Sequence, residues 1–230
     1  MTLFLVGTPI GNLGDLSPRA LATLKQTSVL AVEKWTDTAK LLRHFDLRPE
    51  VILHYDDRRQ KSAAAKILDH LTRHDVALVT SAGLPGVSDP GAYLVREARL
   101  AGHIVVPIPG PSAVSTAIAA CGFAGTFWFV GFLPRTRGKI VKLLRQAETL
   151  PANLLAFEST HRLVKTLSLL EALYPDAPIF IGKEMTKKFE DYSVDSAGRF
   201  LAKIAANPRW AAGEFTLIVN FDGRRDNLLE

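Results

Sequence analysis

The chain has 230 residues, of which 47% are hydrophobic and 22% charged, so it is typical of a globular protein with one large or two modest domains. Its formal charge of +5 permits a polyanionic partner such as RNA but does not require one. Cys121 is the only cysteine, which excludes an intrachain disulfide and favours a reducing, cytoplasmic setting.

One uncharged stretch, residues 104–134, is long enough to cross a membrane. Prolines and glycines interrupt it, however, and loops without hydrogen-bond partners are not tolerated in lipid. We therefore expect buried strands and a buried helix here, and no membrane partner. Met1 leads directly into an apolar run without a basic flank, so we also expect no signal peptide.

In the first half, short apolar runs alternate with amphipathic stretches. The predicted strands are residues 3–6, 29–33, 51–54, 76–80 and 104–108. The predicted helices are residues 18–25, 37–45, 62–73 and 91–101. Ser17 followed by Pro18 is typical of a helix start. Strands that are apolar on both faces and separated by helices predict a mostly parallel, covered sheet.

After a helix in the segment GPSAVSTAIAACG, a second set of elements follows. The predicted strands are residues 127–132, 153–157, 178–182 and 215–221, and the predicted helices are residues 139–147, 162–173 and 197–206. A boundary near residues 110–115 gives an N-terminal domain, 1–112, and a C-terminal domain, 113–230. We therefore predict two α/β domains, with a mostly parallel N-terminal sheet, a mixed C-terminal sheet and a ligand in the cleft between them.

Three loops rich in glycine and proline directly follow strands of the first half. They are GTPIGNLGD at 7–15, SAGLPGVSDPG at 81–91 and PIPGPSA at 107–113. In open α/β sheets, ligands bind beyond the carboxyl ends of the strands, and glycine lets a ligand approach the backbone. Each loop alone could be only a tight turn, but the three together predict a shared pocket.

The sequence lacks several common motifs for nucleotide binding, nucleophilic catalysis and metal binding. There is no G-x-G-x-x-G after the first strand, no G-x-x-x-x-G-K-[ST] and no G-x-S-x-G. The six histidines are dispersed, and His70 and His74 lack the H-E-x-x-H context, so we expect no metal. What remains is a ligand held mainly by backbone and apolar contacts.

Segments along nearly the whole chain carry a family resemblance. In order, they are TPIGNLGDLSPRAL, VALVTSAGLPGVSDPG, VVPIPGPSAVSTAIAACG, FVGFLPR, FESTHRL, KEMTKKFE and GEFTLIV. They resemble the tetrapyrrole methylase superfamily, most closely the ribosomal small-subunit RNA (cytidine-2'-O)-methyltransferase family. This resemblance implies S-adenosylmethionine as the methyl donor, 16S ribosomal RNA as the substrate, and a homodimer.

The resemblance also implies which residues bind the donor, in the three loops and in the second half. They are Thr8, Pro9, Ser81, Gly83, Leu84, Pro85, Ser88, Asp89, Ser112, Ala113, Phe157, Glu214 and Phe215.

Several positions depart from the family pattern. Ser81 stands where the family usually has aspartate, so an acid near the donor is lost unless Asp89 replaces it. The segments at 33–38 and 54–57 differ as well, and the sequence ends soon after Asp222 and Gly223, without the usual C-terminal helical module. Two alternatives therefore stay open: a C-methyltransferase of a tetrapyrrole such as uroporphyrinogen or a precorrin, and a non-catalytic paralogue that binds S-adenosylmethionine or RNA.

Methylation of a ribose hydroxyl benefits from a general base. The candidates are Glu33, Glu158, His161 and Glu184, of which we favour Glu158 and Glu184 as catalytic residues. The predicted substrate-binding residues are Asn12, Arg135, His161, Arg162, Lys183 and Lys187, with other cations nearby at Arg137, Lys139 and Lys188. The aromatic rings of Trp35 and Tyr55, beside the predicted cleft, could stack on a base. Each of these side chains could instead serve as a helix cap, a surface ion pair or packing.

Overall fold

The computed structural model describes residues 1–221, so that Asp222, Gly223 and the rest of the predicted 113–230 domain beyond Phe221 lie outside the described residues. By its internal contacts the chain divides into two compact units, Met1–Ser112 and a unit that begins at Ala113. Each unit contains one five-stranded sheet. No helix among residues 1–221 combines the length and the apolar character that a membrane crossing needs.

The first unit is an α/β unit whose sheet is parallel throughout, as the sequence predicts. Its strands are β1 (Thr2–Val6), β2 (Val29–Val32), β3 (Val51–His54), β4 (Val76–Val79) and β5 (Ile104–Ile108), in the order β3-β2-β4-β1-β5. Its helices are α1 (Pro18–Gln26), α2 (Trp35–His44), α3 (Gln60–Leu71) and α4 (Ala92–Leu100).

Two hydrophobic clusters cover the two faces of this sheet, because alternate residues of a strand point to opposite faces. Leu78 of β4 packs in the cluster with α3 and α4, and Val79 packs in the cluster with α1 and α2. The central strands β2 and β4 are buried along their whole length. Ser17 caps α1, since its hydroxyl accepts the backbone N–H of Ala20 at 3.1 Å.

The second unit has a mixed sheet, which confirms the predicted fold class. Its strands are β6 (Thr126–Phe132), β7 (Ala152–Ser159), β8 (Ile179–Lys183), β9 (Asp191–Asp195) and β10 (Glu214–Val219), in the order β6-β7-β10-β8-β9. Its helices are α5 (Ala113–Cys121), α6 (Arg137–Thr149), α7 (Thr160–Leu173) and α8 (Ala197–Ala206). Only the β6–β7 pair is parallel among the strand pairs of residues 113–221.

Strand β9 is not among the strands predicted from the sequence. This edge strand, DYSVD, has an aspartate at each end and only two apolar residues, Tyr192 and Val194, both of which are exposed. It is stabilised mainly by its pairing with β8 and by Asp191, which accepts hydrogen bonds from Lys203 and Trp210. A composition-based prediction cannot detect such a strand, because its contacts come from distant parts of the chain.

The position of β10 decides which residues meet at one edge of the second sheet. β10 runs antiparallel between β7 and β8, so β7 and β8 point the same way. Glu214, the first residue of β10, therefore lies opposite Ser159 at the end of β7, and Phe215 lies opposite Lys183 at the end of β8. We call this edge, with the ends of β6, β7 and β8 and the start of β10, the basic edge.

Candidate active site

The first unit brings its three glycine- and proline-rich loops into direct backbone contact. Thr8 and Gly83 form an antiparallel bridge with N–H···O distances of 2.9 and 3.1 Å. Gly7 donates its N–H to the carbonyl of Ile108 at 3.0 Å. A Cβ atom at Gly110 would lie 2.7 Å from the Gly7 carbonyl oxygen, so these two loops can meet only because neither residue has a side chain.

The middle loop also has an unusual backbone. Gly83 and Gly86 have φ angles of +74° and +86°, which glycine adopts at little cost. Ser88 has a φ of +60°, a conformation that a residue with a Cβ atom rarely adopts. Ser88 and its neighbour Val87 are exposed, so core packing does not impose this strain. Strain of this kind is concentrated at ligand-binding segments.

Ser81, after β4, is bonded to Glu33, after β2. The Oε2 atom of Glu33 accepts the backbone N–H of Ser81 at 3.0 Å and its hydroxyl at 3.1 Å. The N–H of Glu33 is in turn bonded to the carbonyl of Val79 at 3.3 Å. Serine thus stands where the family pattern has an acid, but it holds a carboxylate from the neighbouring strand. The end of the sheet therefore keeps an acidic group.

A second carboxyl group of this region titrates close to neutrality. The pKa of Asp89 is raised from 3.8 to about 6, chiefly because burial disfavours its charged form, and also through repulsion by Glu33 and Asp57. The hydroxyl of Thr80 acts in the opposite direction. No lysine or arginine among the described residues forms an ion pair with Glu33, Asp57 or Asp89. The negative charge here is thus uncompensated, which suits a cationic ligand.

A small pocket of about 60 Å³ opens beside these loops. It is lined by Thr8, Pro9, Leu13, Asp37, Thr38, Leu41, Val79, Thr80 and Ser81. Three of the predicted donor-binding residues, Thr8, Pro9 and Ser81, therefore share one cavity. Its volume admits only a few water-sized groups, so it is a niche for part of a ligand rather than a complete site.

The other predicted residues of the first unit have distinct surroundings. The side chain of Asn12 accepts the N–H of Gly14 at 3.0 Å and so caps a short 3-10 helix. Tyr55 is fully buried and its hydroxyl accepts the N–H of Leu94 at 3.1 Å, so the idea that it stacks on a base is wrong. Trp35 is 44% exposed and remains accessible for stacking.

In the second unit, Glu158 is buried at the end of β7 and is surrounded by donors. Its carboxylate accepts from the guanidinium of Arg162 at 2.7 Å, from the hydroxyl of Thr166 at 2.7 Å and from the N–H of Ser159 at 2.7 Å. Arg162 also donates to the carbonyl oxygens of Leu133 at 2.8 Å and Pro134 at 3.2 Å. These contacts fix the segment after β6, although the Arg162 side chain itself is 24% exposed.

Glu184 and Lys187 belong to a second network at the basic edge. The carboxylate of Glu184 accepts from the Nζ of Lys187 at 2.9 Å and from the N–H of Glu214 at 2.8 Å, and Lys187 also contacts the Glu214 carboxylate at 2.9 Å. Burial alone would raise the pKa of Glu184, but these hydrogen bonds lower it below its ordinary 4.5. A carboxylate with a lowered pKa is a weak proton acceptor.

The remaining predicted residues differ in accessibility. Arg135 and His161 are exposed, whereas Lys183 is only 8% exposed and forms no ion pair among residues 1–221. Phe157 is half-buried and Phe215 is buried in the core, so only the main chain of Phe215 can reach a ligand. Within the described part of the chain, no group of three or more His, Cys, Asp and Glu side chains could hold a metal ion.

Two residues of the basic edge are not among the site residues predicted from the sequence. The hydroxyl of Thr160 donates to the carbonyl of Gly213 at 2.6 Å and accepts its N–H at 3.0 Å, which joins α7 to the start of β10. Phe132, the last residue of β6, is 58% exposed. The sequence gives one signal for them, because both lie within or beside the quoted segments FVGFLPR and FESTHRL.

Solved structures share this fold. The chain superposes on the crystal structure of a diphthine synthase with a TM-score of 0.75 at 16% identity, covering 95% of this chain and 90% of that one. It superposes on uroporphyrin-III C-methyl transferase from Thermus thermophilus complexed with S-adenyl homocysteine with a TM-score of 0.66 at 20% identity, covering 96% and 98%. At these identities the likeness extends to the fold alone.

Sequence comparison is more specific. The family model of the tetrapyrrole (corrin/porphyrin) methylases matches residues 2–199. Ribosomal RNA small subunit methyltransferase I of Halalkalibacterium halodurans is 36% identical over 228 residues, 97% of this chain and 77% of the relative. The enzyme of the same name from Leptospira biflexa is 36% identical over 220 residues, 95% of this chain and 90% of the relative. The chain therefore belongs to the tetrapyrrole (corrin/porphyrin) methylase family, together with the ribosomal RNA small subunit methyltransferases that match it over almost its whole length.

Proposed function

We propose that this chain is an S-adenosylmethionine-dependent methyltransferase that methylates the ribose 2'-hydroxyl of a cytidine in small-subunit (16S) ribosomal RNA. The observation that carries the proposal is the meeting of three loops at an acidic end of the first sheet, at Thr8, Gly83 and Gly110. The relatives at 36% identity, which are named as ribosomal RNA small subunit methyltransferases, favour RNA over a tetrapyrrole.

The residues of the first unit fit this donor. A sulfonium is a cation, and Glu33 and Asp89 supply negative charge without a lysine or arginine partner among the described residues. The glycine loops leave backbone groups that a nucleoside can approach closely. These contacts support donor binding by Thr8, Pro9, Ser81, Gly83, Leu84, Pro85, Ser88, Asp89 and Ser112. For Ala113, Phe157, Glu214 and the main chain of Phe215, the support is the family resemblance of the sequence alone.

The donor supplies an electrophilic methyl group, and the residues of this chain bind and orient the reactants. Correct orientation alone can contribute about 7 to 11 kcal/mol to such a transfer. Glu158 is buried and already accepts hydrogen bonds from three donors, so it is not available to a substrate hydroxyl, and Glu184 has a lowered pKa, which makes it a weak proton acceptor. We therefore assign to these two glutamates the role of fixing the basic edge.

The same contacts divide the predicted RNA-binding residues into two groups. The charged groups of Arg162 and Lys187 are already engaged by Glu158 and by Glu184 with Glu214, so they shape the surface. We assign RNA contacts to the exposed residues Arg135 and His161 and to Asn12, whereas Lys183 is only 8% exposed and is not assigned one. Contacts between cations and phosphates make binding fall steeply with salt concentration.

The proposal is tested by incubating the purified chain with S-adenosylmethionine labelled in its methyl group. Three acceptors are offered in parallel: small ribosomal subunits, free small-subunit RNA and uroporphyrinogen. We expect label in RNA, at the 2'-oxygen of a cytidine after nuclease digestion. Label only in uroporphyrinogen would favour the tetrapyrrole alternative, and calorimetric binding of the donor without transfer to any acceptor would favour a non-catalytic paralogue.

We further infer a homodimer that acts in the cytoplasm. The support for the dimer is the family resemblance of the sequence, and the support for the compartment is the proposed ribosomal substrate together with the single cysteine. Analytical ultracentrifugation of the full chain tests the first inference. A sedimentation coefficient of a monomer at micromolar concentration would contradict it.

A further inference from the structure

Phe132 is an exposed aromatic residue that the structure holds in a defined position. It ends β6, where the register with β7 shifts between Phe129 and Phe132 and Gly131 adopts a φ of +69°. Its ring contacts Phe157 edge to face with centroids 5.5 Å apart, and Phe157 contacts Phe129 in the same way at 5.1 Å. One edge of the Phe132 ring is thus supported, while 58% of the side chain remains exposed.

Arg162, which is paired with Glu158, holds the backbone segment that follows Phe132. Arg162 donates to the carbonyl oxygens of Leu133 and Pro134, and Leu133 donates its N–H to the carbonyl of Phe157 at 3.1 Å. Leu133 itself is buried. An exposed ring on a backbone with this many fixed points loses little conformational freedom when it binds a partner.

The positive charges that follow Phe132 in the sequence indicate which kind of molecule its exposed ring can bind. Arg135, Arg137 and Lys139 are exposed and follow within seven positions. None of the three has an acidic partner within salt-bridge distance among residues 1–221. An aromatic ring next to unpaired cations matches single-stranded nucleic acid, in which flat bases alternate with phosphates. A partner that is purely apolar would leave these cations uncompensated.

We propose that Phe132 stacks on an unpaired base of the RNA substrate, and that Glu158 and Arg162 are positioning residues that hold Phe132 in place. This inference rests on the proposed function, because it assigns a contact of the same substrate. Stacking on an aromatic residue does not depend strongly on which base is present. Phe132 therefore adds affinity for unpaired RNA, and Arg135 and its neighbours bind the phosphates on either side of the stacked base.

The experiment measures binding of a short fluorescein-labelled single-stranded RNA to the full chain at several salt concentrations. We expect Phe132→Ala to weaken binding on the order of tenfold without changing the salt slope, and Phe132→Trp to retain it. Arg135→Ala should instead reduce the salt slope by about one. Val164→Ala, at an exposed apolar residue of α7, is the matched control and should bind as the wild type does.

The positioning role is tested by combining variants. If Arg162 acts through Phe132, the effects of Arg162→Met and Phe132→Ala on RNA affinity will be far from additive, whereas an independent structural role would make them additive. Urea unfolding of each variant checks that it is folded. If Arg162→Met does not fold, the Phe132 variants still decide the main claim.

The inference is overturned if Phe132→Ala binds RNA as tightly as the wild type. If that variant also changes the sedimentation coefficient, this face is instead a contact between copies of the chain. In either case the wild-type chain would still label small subunits, so the proposed function would stand. A wild-type chain that neither binds RNA nor labels it would instead remove the proposed function.

Discussion

Ser81 donates both its backbone N–H and its hydroxyl to a single carboxylate oxygen of Glu33, at 3.0 and 3.1 Å. The two residues are 48 positions apart in the sequence and follow neighbouring strands, β4 and β2. Their contact therefore fixes the relative positions of two loops at the carboxyl end of the first sheet.

A double-mutant cycle measures the side-chain part of this contact, because Ser81→Ala keeps the backbone N–H that also donates to Glu33. We expect Ser81→Ala and Glu33→Ala each to lower the free energy of unfolding, and the pair to show a coupling energy of about 1 kcal/mol, since hydrogen bonds to a charged group contribute more than neutral ones but are weakened by partial exposure. Urea unfolding provides the measurement. A coupling energy near zero would mean that solvent replaces the bond without loss.

Asp89 gives stability a pH dependence whose sign follows from its raised pKa. Its carboxyl titrates near 3.8 in the unfolded chain and near 6 in the fold, so the folded chain binds more protons in this window. The stabilisation that protonated Asp89 contributes to the fold is thus fully present below pH 3.8 and is lost as the pH rises through about 6. At full strength the shift corresponds to about 3 kcal/mol, which solvent screening reduces to about 1 to 2 kcal/mol.

Asp89→Asn removes this titration. We expect the variant to be more stable than the wild type by about 1 to 2 kcal/mol at about pH 8, and equally stable at about pH 4. It should also bind S-adenosylmethionine less tightly at about pH 8, because a negative charge beside the donor site is lost. Urea unfolding and calorimetry check the two expectations. If the free energies of unfolding of both proteins change with pH in the same way, the burial of Asp89 does not affect stability.

The contact between Gly7 and Gly110 predicts a sharp difference between two similar substitutions. Gly110→Ala places a methyl group 2.7 Å from a backbone oxygen of Gly7, so the loops must separate, and we expect a loss of about 1 to 3 kcal/mol together with weakened donor binding. Gly138→Ala in α6 meets no atom within 4 Å and should stabilise the chain by about 0.5 to 1 kcal/mol. Equal effects of the two variants in urea unfolding would contradict this explanation.

The ion pair of Glu158 with Arg162 should be the polar contact of the second unit whose loss lowers the free energy of unfolding most. Removing Glu158 leaves the guanidinium of Arg162, which is 24% exposed, without its carboxylate and the hydroxyl of Thr166 without its acceptor, so Glu158→Ala is expected to cost about 1 to 3 kcal/mol. The exposed pair of Arg199 with Asp195, at 3.5 Å, provides the control, and Arg199→Ala is expected to cost less than about 0.5 kcal/mol. Thermal unfolding at neutral pH ranks the two variants, and equal effects of Glu158→Ala and Arg199→Ala would contradict this expectation.

The sequence predicts the fold well where local pattern and burial agree. The ranges of β3, β5 and α8 coincide with those predicted, and the parallel order of the first sheet follows from strands that are apolar on both faces. The prediction fails at β9, whose residues are polar and whose stability comes from pairing with β8. Such a strand is defined by tertiary contacts that no short window of sequence contains.

For the site, the sequence identifies the loops but not the state of their charges. The segments around Thr8, Ser81 and Gly110 are recognisable from their glycines, and the structure brings them together. Whether a carboxylate is available or already bonded depends on residues far away in the sequence. Glu158 and Glu184 attract attention as acids after strands, yet each is occupied by donors that only the folded chain supplies.

The course of β10 has a consequence for how this family can vary. Because β10 enters the second sheet between β7 and β8, the connection that precedes it, residues 207–213, arrives at the same edge as the segments that leave those strands. Trp210 of this connection is buried against Phe200 and Phe215, so a change in the length of the connection would alter the basic edge and the core of the second unit together. Variation of this connection within the family is thus constrained by the packing of Trp210 in the interior of the second unit.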